Sequence, residues 1–487
     1  MKQDLGISKI QKIHFIGIGG VSMSGLAKWC RIKGFSVSGS DKKPFSTALE
    51  LQNLGIKVFF GHSAKNVTGA EAVVYTSAVP EDNEELAAAK KRGIPIIKRS
   101  ELLGYILKKY PRSIAVSGSH GKTTVTAMLW EIFEAAGEKP AVFLGGEYGA
   151  RGNFTAGGTP EKFALAEACE YKSNFLDIKP DLCVVLNVDN DHLESFGGAE
   201  AERAAFRKFA SNGVSVINAD DEGALKAAGE ASVTFGIENP AVFAAKNLTA
   251  NGKNGGYSFT VYEHGVRAGR VELKIRGRYN VYNALAAIAA ARTSGISFRA
   301  VKKALSSFSG VKRRNERIGT FCGKAVFADY AHHPAEINAF LEAKKEEDKK
   351  YVAVFQPHTY SRTRILKEEF IKVLSREPRL IIYKTFPARE KFDKSGDAKT
   401  LYEEIYKERA KIYKECAKSA AACEEDFDCL KCTLALYAET KEELIGAIQL
   451  RLAGAEEILF VGAGDIYEIA LSLCEKQRGK ENGEERL

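Results

Sequence analysis

The stretch Ser113-Ile-Ala-Val-Ser-Gly-Ser-His-Gly-Lys-Thr-Thr124 decides how the rest of this 487-residue chain is read. An apolar strand runs into a glycine-rich turn, and a helix opens at Lys122. Phosphate oxygens need a concave ring of backbone N–H groups at a helix N-terminus, and glycine lets the backbone close around them. In such a loop Lys122 reaches the terminal phosphates and the Thr123 hydroxyl coordinates Mg²⁺. The candidate ATP-binding set is therefore Gly118, Ser119, His120, Gly121, Lys122, Thr123 and Thr124. The common form of the motif has four residues between its glycines; here Gly118 and Gly121 are separated by two, and Val116 stands where the first glycine would be. The shorter loop keeps the physics. Strand, loop, Lys-Thr-Thr and helix together argue against a chance glycine turn.

Upstream of this loop, residues 1–110 alternate short apolar strands (Lys12–Ile18, Phe35–Ser38, Lys57–Phe60, Ala72–Thr76, Ile94–Lys98) with helical patterns such as Ser24–Lys33 and Asn83–Arg92. That alternation implies a parallel sheet. Downstream, strands are expected at Ala164–Ala168, Leu182–Asn187 and Ser215–Asn218. Residues 241–277 read instead as successive strands with turn signals at Asn251–Gly256 and Glu263–Gly265, hence a small antiparallel sheet, followed by an Ala-rich helix over Val281–Arg292. After the basic segment Lys312–Arg317, strands recur at Lys324–Ala328, Tyr351–Phe355, Leu380–Tyr383 and Ile458–Val461, and Lys399–Glu425 is helical in composition.

The expected fold is α/β with three domains. Residues 1–110 form a Rossmann-like N-terminal domain, and 111–314 a central P-loop ATPase domain with the small antiparallel sheet. Residues 315–487 form a C-terminal Rossmann-like α/β domain. A second glycine turn, Gly17-Ile-Gly-Gly20, follows a strand and precedes a helix, with Ser22 in place of a third glycine. Asp41 ends the next strand, where a ribose-binding acid would sit. By itself this turn fits NAD, another nucleotide diphosphate, or a plain tight turn.

Net charge is 71 − 62 = +9, and no Lys/Arg run has the density of a nucleic-acid arm, so no nucleic-acid partner is expected. Met1 to Ile10 is polar and lacks a signal-peptide core. No stretch approaches ~18 consecutive apolar residues, so no membrane partner is expected either. Nine scattered cysteines fit a reducing cytoplasm.

Further motifs follow in order: Glu167-Ala-Cys-Glu170, Asn187-Val-Asp-Asn-Asp-His192, Gly277-Arg-Tyr-Asn-Val-Tyr-Asn283, Asp329-Tyr-Ala-His-His-Pro334, Gln356-Pro-His-Thr-Tyr-Ser-Arg-Thr363 and Gly462-Ala-Gly-Asp465. With the phosphate loop, and over nearly the whole chain, they resemble the Mur ligase family, the enzymes that build the peptide of bacterial cell-wall precursors. Phe15-Ile-Gly-Ile-Gly-Gly20 with Met23-Ser-Gly25, Asp329–Pro334 and above all Pro357–Thr363 resemble the members that add L-alanine to UDP-N-acetylmuramate. Tyr279 stands where the family usually has His.

The resemblance implies a cytoplasmic, ATP- and Mg²⁺-dependent ligase, monomeric or homodimeric, that passes through an acyl phosphate. It implies that Lys122 neutralises the triphosphate, and that Thr123, Glu167 and His192 serve the metal. Asn280 and Asn283 bind adenine, Asp329 the ribose, and Arg314 the nucleotide phosphates. Tyr330, His332 and Arg362 form the amino-acid pocket, Arg362 clamping the carboxylate and His332 positioning the amine or taking its proton. Gly17, Gly19, Gly20, Asp41 and His62 hold the UDP part.

The alternatives are a murein-tripeptide recycling ligase, a nucleotide-binding protein without ligation, and an NAD-dependent oxidoreductase resting on the first glycine turn alone. Cys416, Cys423, Cys429 and Cys432 lie in a stretch inserted relative to the family's usual C-terminal domain and receive no role from the resemblance; a thiophilic metal and plain packing or exposed thiols are the two readings.

Overall fold

A computed structural model of the chain describes residues 7–189, 196–229, 232–251, 255–418 and 435–484. By contact density the chain forms two units: Met1–Asn251, Gly256–Ile275 and Tyr279–Val311 in the first, and Gly252–Gly255, Arg276–Arg278 and Lys312–Leu487 in the second.

The first unit carries two sheets. Its N-terminal sheet has five parallel strands in the order Lys57–Phe60, Ser36–Asp41, Lys12–Ile16, Ala72–Tyr75, Ile96–Lys98. The winding direction switches beside Lys12–Ile16, so a crevice opens there at the carboxyl ends of the strands, where open α/β sheets take ligands. The first strand stops two residues short of the expected Ile18. Gly17 turns the chain at φ +83°, and the N–H groups of Gly17 and Ile18 both go to the Ser40 carbonyl.

The second sheet has ten strands, ordered Val266–Leu273, Tyr257–Glu263, Phe243–Ala250, Val233–Gly236, Val214–Asn218, Leu182–Val185, Arg112–Ser117, Phe163–Glu167, Ala141–Tyr148, Gly152–Thr155. The expected antiparallel strands are present, joined edge-on to the parallel part through Val233–Gly236. The Ala141–Tyr148/Gly152–Thr155 hairpin was not legible in advance, because Gly145-Gly146-Glu147 interrupts its apolar pattern.

One core, including Ile13, Phe15, Leu26 and Trp29 together with Phe143, Cys183 and Phe206, runs from the N-terminal sheet to the second sheet and welds both into one unit. A second core covers the other face and includes the helices Lys122–Ala135 and Tyr279–Thr293. Ala284 to Ala291 are all fully buried. A helix apolar on every side belongs inside, and alanine lets it lie close to its neighbours. This burial fixes where its polar first turn, with Asn280 and Asn283, is delivered.

The second unit has six strands, ordered Glu316–Phe321, Lys324–Asp329, Glu457–Val461, Tyr351–Phe355, Leu380–Tyr383, Leu436–Ala438. All neighbours are parallel except the first pair. The polar edge strand Glu316–Phe321 carried no strand signal in the sequence. Separate apolar cores cover the two faces. The charged segment forms the helix Ala398–Lys418; Cys423, Cys429 and Cys432 lie outside the described residues. Among the described residues no helix is long and apolar enough to cross a membrane.

Candidate functional site

The phosphate loop leaves the strand Arg112–Ser117 and enters the helix Lys122–Ala135. Gly118 (φ +140°) and Gly121 (φ +88°) take backbone conformations that side chains disfavour. Asn187, which has no role in the sequence reading beyond its motif, latches the loop from the neighbouring strand. Its carbonyl accepts from Ser119 N at 3.1 Å and its Oδ1 from His120 N at 2.8 Å. The His120 imidazole lies 3.0 Å from the Asp189 carboxylate, and Asp189 N donates to Ser119 Oγ at 3.0 Å.

Thr123 Oγ1 donates to Glu167 Oε2 at 3.0 Å, so the loop's first helical turn and the end of the Phe163–Glu167 strand bring two hard oxygen donors together. Gly145 N donates to the other oxygen of Glu167. Among the described residues no group of three His, Cys, Asp or Glu side chains is placed to hold a metal. Two protein oxygens beside a phosphate loop fit Mg²⁺, which keeps waters and substrate phosphates as its remaining ligands. His192 lies outside the described residues.

Lys122 Nζ is held by the Gly118 carbonyl, by the Ser119 carbonyl at 3.1 Å and by the Glu170 carboxylate at 2.9–3.0 Å. Burial favours the neutral amine, but the Glu170 carboxylate outweighs it and raises the Lys122 pKa. Glu170 is the partner sequence reasoning left without a role. The cue was present in Glu167-Ala-Cys-Glu170, where a second carboxylate follows the first by three residues.

Asn280 and Asn283 are buried and joined, Asn283 Nδ2 donating to Asn280 Oδ1 at 2.9 Å. A Cβ added at Gly121 would lie 2.5 Å from Asn283 Oδ1. The adenine-binding candidates and the phosphate loop thus share one wall. Gly121→Ala is expected to combine a left-handed backbone penalty with this clash, at about 1–3 kcal/mol. Thermal denaturation and ATP titration check it; unchanged melting and affinity would refute the tight fit.

At the N-terminal crevice Asp41 Oδ2 accepts from Gly19 N at 2.9 Å and Oδ1 from Lys42 N at 2.7 Å. A Cβ at Gly19 would meet Phe45 at 2.6 Å and Asp41 at 2.8 Å, so glycine is needed for close approach. Gly20 caps the helix Val21–Ile32, and Ser22 Oγ accepts from Arg99 at 3.0 Å. His62 stands at the same strand ends, its Nδ1 3.0 Å from Ser40 Oγ.

In the second unit, Asp329 is buried at its strand end and accepts from Asn315 N and Ala331 N, both at 2.7 Å. Burial pushes its carboxyl up to about 6, against the opposing Arg314 charge. The Arg314 guanidinium lies over the Tyr330 ring at 5.2 Å and 3.8 Å from Glu336. Arg313, not singled out from sequence, lies against the rings of both Tyr330 and Tyr467, at 4.9 and 4.8 Å. The rings of Tyr330 and His332 meet edge-on at 5.3 Å, and His358 lies 5.8 Å from His332. His332 Nδ1 is 3.0 Å from the Tyr330 carbonyl. A carbonyl only accepts, so Nδ1 carries the proton and Nε2 the lone pair. His333 instead caps the helix Pro334–Lys345. Arg362 sits on the helix Tyr360–Ile365, close enough for its charge to depress both His332 and His358.

Burial, with a smaller contribution from Arg362 and against the pull of Glu336, holds His332 down to about 3. Below the ordinary histidine pKa of ~6.5 the unfolded chain therefore binds a proton that the folded chain refuses, and stability is lost as pH falls through that range. Asp329 has the opposite sign, because its raised folded pKa stabilises the fold as pH falls through about 6. His332→Gln is expected to lose about 1 kcal/mol less stability than the wild type between about pH 7.5 and pH 5.5. Urea denaturation at both pH values measures the difference, and identical losses would contradict the burial of a neutral imidazole.

Residues 12–111 match the Mur ligase family catalytic domain, 116–291 the Mur ligase middle domain and 313–464 the Mur ligase glutamate ligase domain. Over 483 residues the chain is 38% identical to the UDP-N-acetylmuramate–L-alanine ligase of Caldanaerobacter subterraneus subsp. tengcongensis, covering 98% of this chain and 100% of that one. It is 38% identical to the ligase of the same name from Aquifex aeolicus, covering 94% and 96%. The crystal structure of UDP-N-acetylmuramate-alanine ligase from Thermotoga maritima superposes with a TM-score of 0.77 at 29% identity, covering 96% of this chain and 99% of that one. A murein peptide ligase from Psychrobacter arcticus, at 22% identity and TM-score 0.67, shares the fold. With three consecutive domain matches and a full-length likeness of this order, the chain belongs to the Mur ligase family.

Proposed function

We propose that this chain joins L-alanine to UDP-N-acetylmuramate at the expense of ATP, in peptidoglycan precursor synthesis. The observation that carries this reading is the full-length likeness to L-alanine-adding ligases. Residues 1–110 take the UDP part, 111–314 ATP, and 315–487 the amino acid.

The chemistry is a two-step acyl transfer. The muramyl carboxylate attacks the γ-phosphorus of ATP, giving an acyl phosphate and ADP. The amine of alanine then attacks the acyl carbon and phosphate leaves. The obstacle is electrostatic, since a carboxylate must approach a triphosphate. Lys122 and the loop N–H groups lower that repulsion. Thr123 and Glu167, with His192, hold Mg²⁺, whose chemistry when bound is to neutralise phosphate charge. Glu170 keeps Lys122 protonated and at the loop before nucleotide arrives.

Asn280 and Asn283 recognise adenine, Asp329 the ribose, and Arg314 the nucleotide phosphates. Arg362 clamps the alanine carboxylate. An imidazole held down to about 3 is a weak base, so His332 acts through its Nε2 lone pair as an acceptor that orients the amine. Gly17, Gly19, Gly20, Asp41 and His62 bind the UDP end. ATP and a UDP-sugar as substrates place the reaction in the cytoplasm.

The test is phosphate release with ATP, Mg²⁺ and UDP-N-acetylmuramate, comparing L-alanine, glycine, L-serine and the murein tripeptide, with product mass read in parallel. Release that depends on L-alanine and a product heavier by one alanyl residue are expected. Turnover with the tripeptide alone would replace this reading with the recycling ligase.

A further inference from the structure

Glu85 is fully buried, yet burial does not neutralise it. Desolvation pushes its carboxyl up, and the nearby His14 imidazole together with hydrogen bonds from Ser40 and Asn66 more than reverse that, holding it down to about 2. It lies in the first turn of the helix Glu84–Lys91, where Asn83 Oδ1 caps Glu85 N at 2.9 Å and the helix end favours an anion. Its oxygens gather Ser40 Oγ at 2.5 Å, Asn66 Nδ2 at 2.6 Å, Ser63 N at 3.2 Å, His62 Nδ1 at 3.3 Å and His14 Nε2 at 3.6 Å. The phosphate-loop chemistry uses none of this.

The proton count in this cluster has one solution. An ionised carboxylate only accepts, so the single hydroxyl proton of Ser40 goes to Glu85. Ser40 Oγ also lies 3.0 Å from His62 Nδ1, and having spent its proton it accepts there. The His62 Nδ1 therefore carries a proton shared between Ser40 and Glu85. In the neutral ring the other nitrogen, Nε2, is then a lone-pair acceptor. The His62 side chain keeps 22% of its surface at the carboxyl ends of the strands, following Gly61, while Glu85 keeps none. The ring thus stands between a buried anion and the crevice.

We propose that Glu85 is a positioning residue which, through Ser40, fixes the proton on Nδ1 of His62 so that Nε2 reads a base edge bearing an N–H donor, as uracil does at N3 and cytosine does not. The inference rests on the reading that His62 belongs to the uridine subsite. Cytosine N3 is itself an acceptor and would face the His62 lone pair without a proton between them, so the cluster selects a uridine over a cytidine nucleotide.

The full chain, labelled with ¹⁵N at histidine, gives the tautomer of His62 directly, its signals assigned by their loss in His62→Gln. The Nδ1–H form is expected in the wild type, and Glu85→Gln is expected to populate the Nε2–H form. Calorimetric titration with UDP and CDP is expected to show Glu85→Gln weakening UDP roughly 10-fold with little change for CDP, so that the UDP:CDP preference narrows by that factor. A merely structural role would not move that ratio. An Nε2–H wild-type ring, or an unmoved ratio in Glu85→Gln while His62→Ala weakens UDP, overturns the role of Glu85. UDP affinity unchanged in His62→Ala overturns the uridine-subsite reading itself. Should Glu85→Gln not fold, the wild-type tautomer and the same ratio in Ser40→Ala decide the matter.

Discussion

Lys122→Met is expected to lower ATP- and alanine-dependent phosphate release roughly 10³-fold, the largest effect of any single change in this chain. The ammonium of Lys122 is the only side-chain cation among the described residues shown bonded within the loop, where it meets two loop carbonyls and Glu170. A carboxylate attacking a triphosphate concentrates negative charge there, and an interaction strengthened as that charge moves lowers the barrier rather than only the Michaelis constant. The substitution also strands Glu170, which is nearly buried at 3% exposure. An unpaired buried carboxylate destabilises by several kcal/mol at most, so lost activity alone would not separate chemistry from folding. The double change Lys122→Met with Glu170→Gln is expected to restore the melting temperature and leave turnover low. Activity recovering with stability in the double variant would show that Lys122 serves the fold and not the reaction.

Arg362→Ala is expected to raise KM for L-alanine roughly 10²-fold while leaving ATP affinity within about twofold, from the loss of one charge-assisted pair. Arg362 is delivered by a short helix whose entry is fixed on both sides. Thr359 turns the chain at φ +65°, and Thr363 Oγ1 returns to the Thr359 carbonyl at 2.8 Å. Ser361 N donates to Glu390 at 2.9 Å, tying the helix to the following loop. Burial, with the nearby Arg362 charge second for His358, pushes His358 down to about 4, so both imidazoles beside Arg362 are neutral. The Arg362 guanidinium, and neither imidazole, is then able to answer a carboxylate. Arg362→Lys is expected to recover only part of the loss, since an ammonium gives one point contact where the fork gives two. Steady-state titration of L-alanine against saturating ATP is the check, and an unchanged KM would remove Arg362 from the amino-acid pocket.

Much of the fold was readable without coordinates because its signals are local. Short apolar runs between polar segments gave Lys57–Phe60, Tyr351–Phe355 and Leu380–Tyr383 at their observed limits. The strand–loop–Lys-Thr-Thr run placed the helix Lys122–Ala135, and the alanine-rich stretch placed Tyr279–Thr293. Elements stabilised from outside their own sequence were missed: the glycine-interrupted strand Ala141–Tyr148, the polar edge Glu316–Phe321 and the three-residue strand Leu436–Ala438. The first two are held by pairing with an adjacent strand in spite of a weak pattern of their own, and Leu436–Ala438 by the distant strand Leu380–Tyr383, so in each case the neighbour and not the segment supplies the strand signal.

The same division holds for the candidate site. Sequence by itself determined which chemistry is present: a phosphate loop, a hydroxyl and a carboxylate for a hard cation, an amide pair, and a cluster of Tyr, His and Arg. Only the tertiary structure decided the partnerships. It assigned Glu170 to Lys122, Asn187 to the loop backbone, Asn283 to the space beside Gly121, and Glu85 to two imidazoles and a serine. These pairs lie far apart along the chain, from 23 residues for His62 with Glu85, through 48 for Lys122 with Glu170 and 71 between Glu85 and His14, to 283 − 121 = 162 for Asn283 with Gly121. Residue type follows from local chemistry, whereas protonation state and tautomer follow from burial and the nearest charge, and those exist only once distant segments have packed.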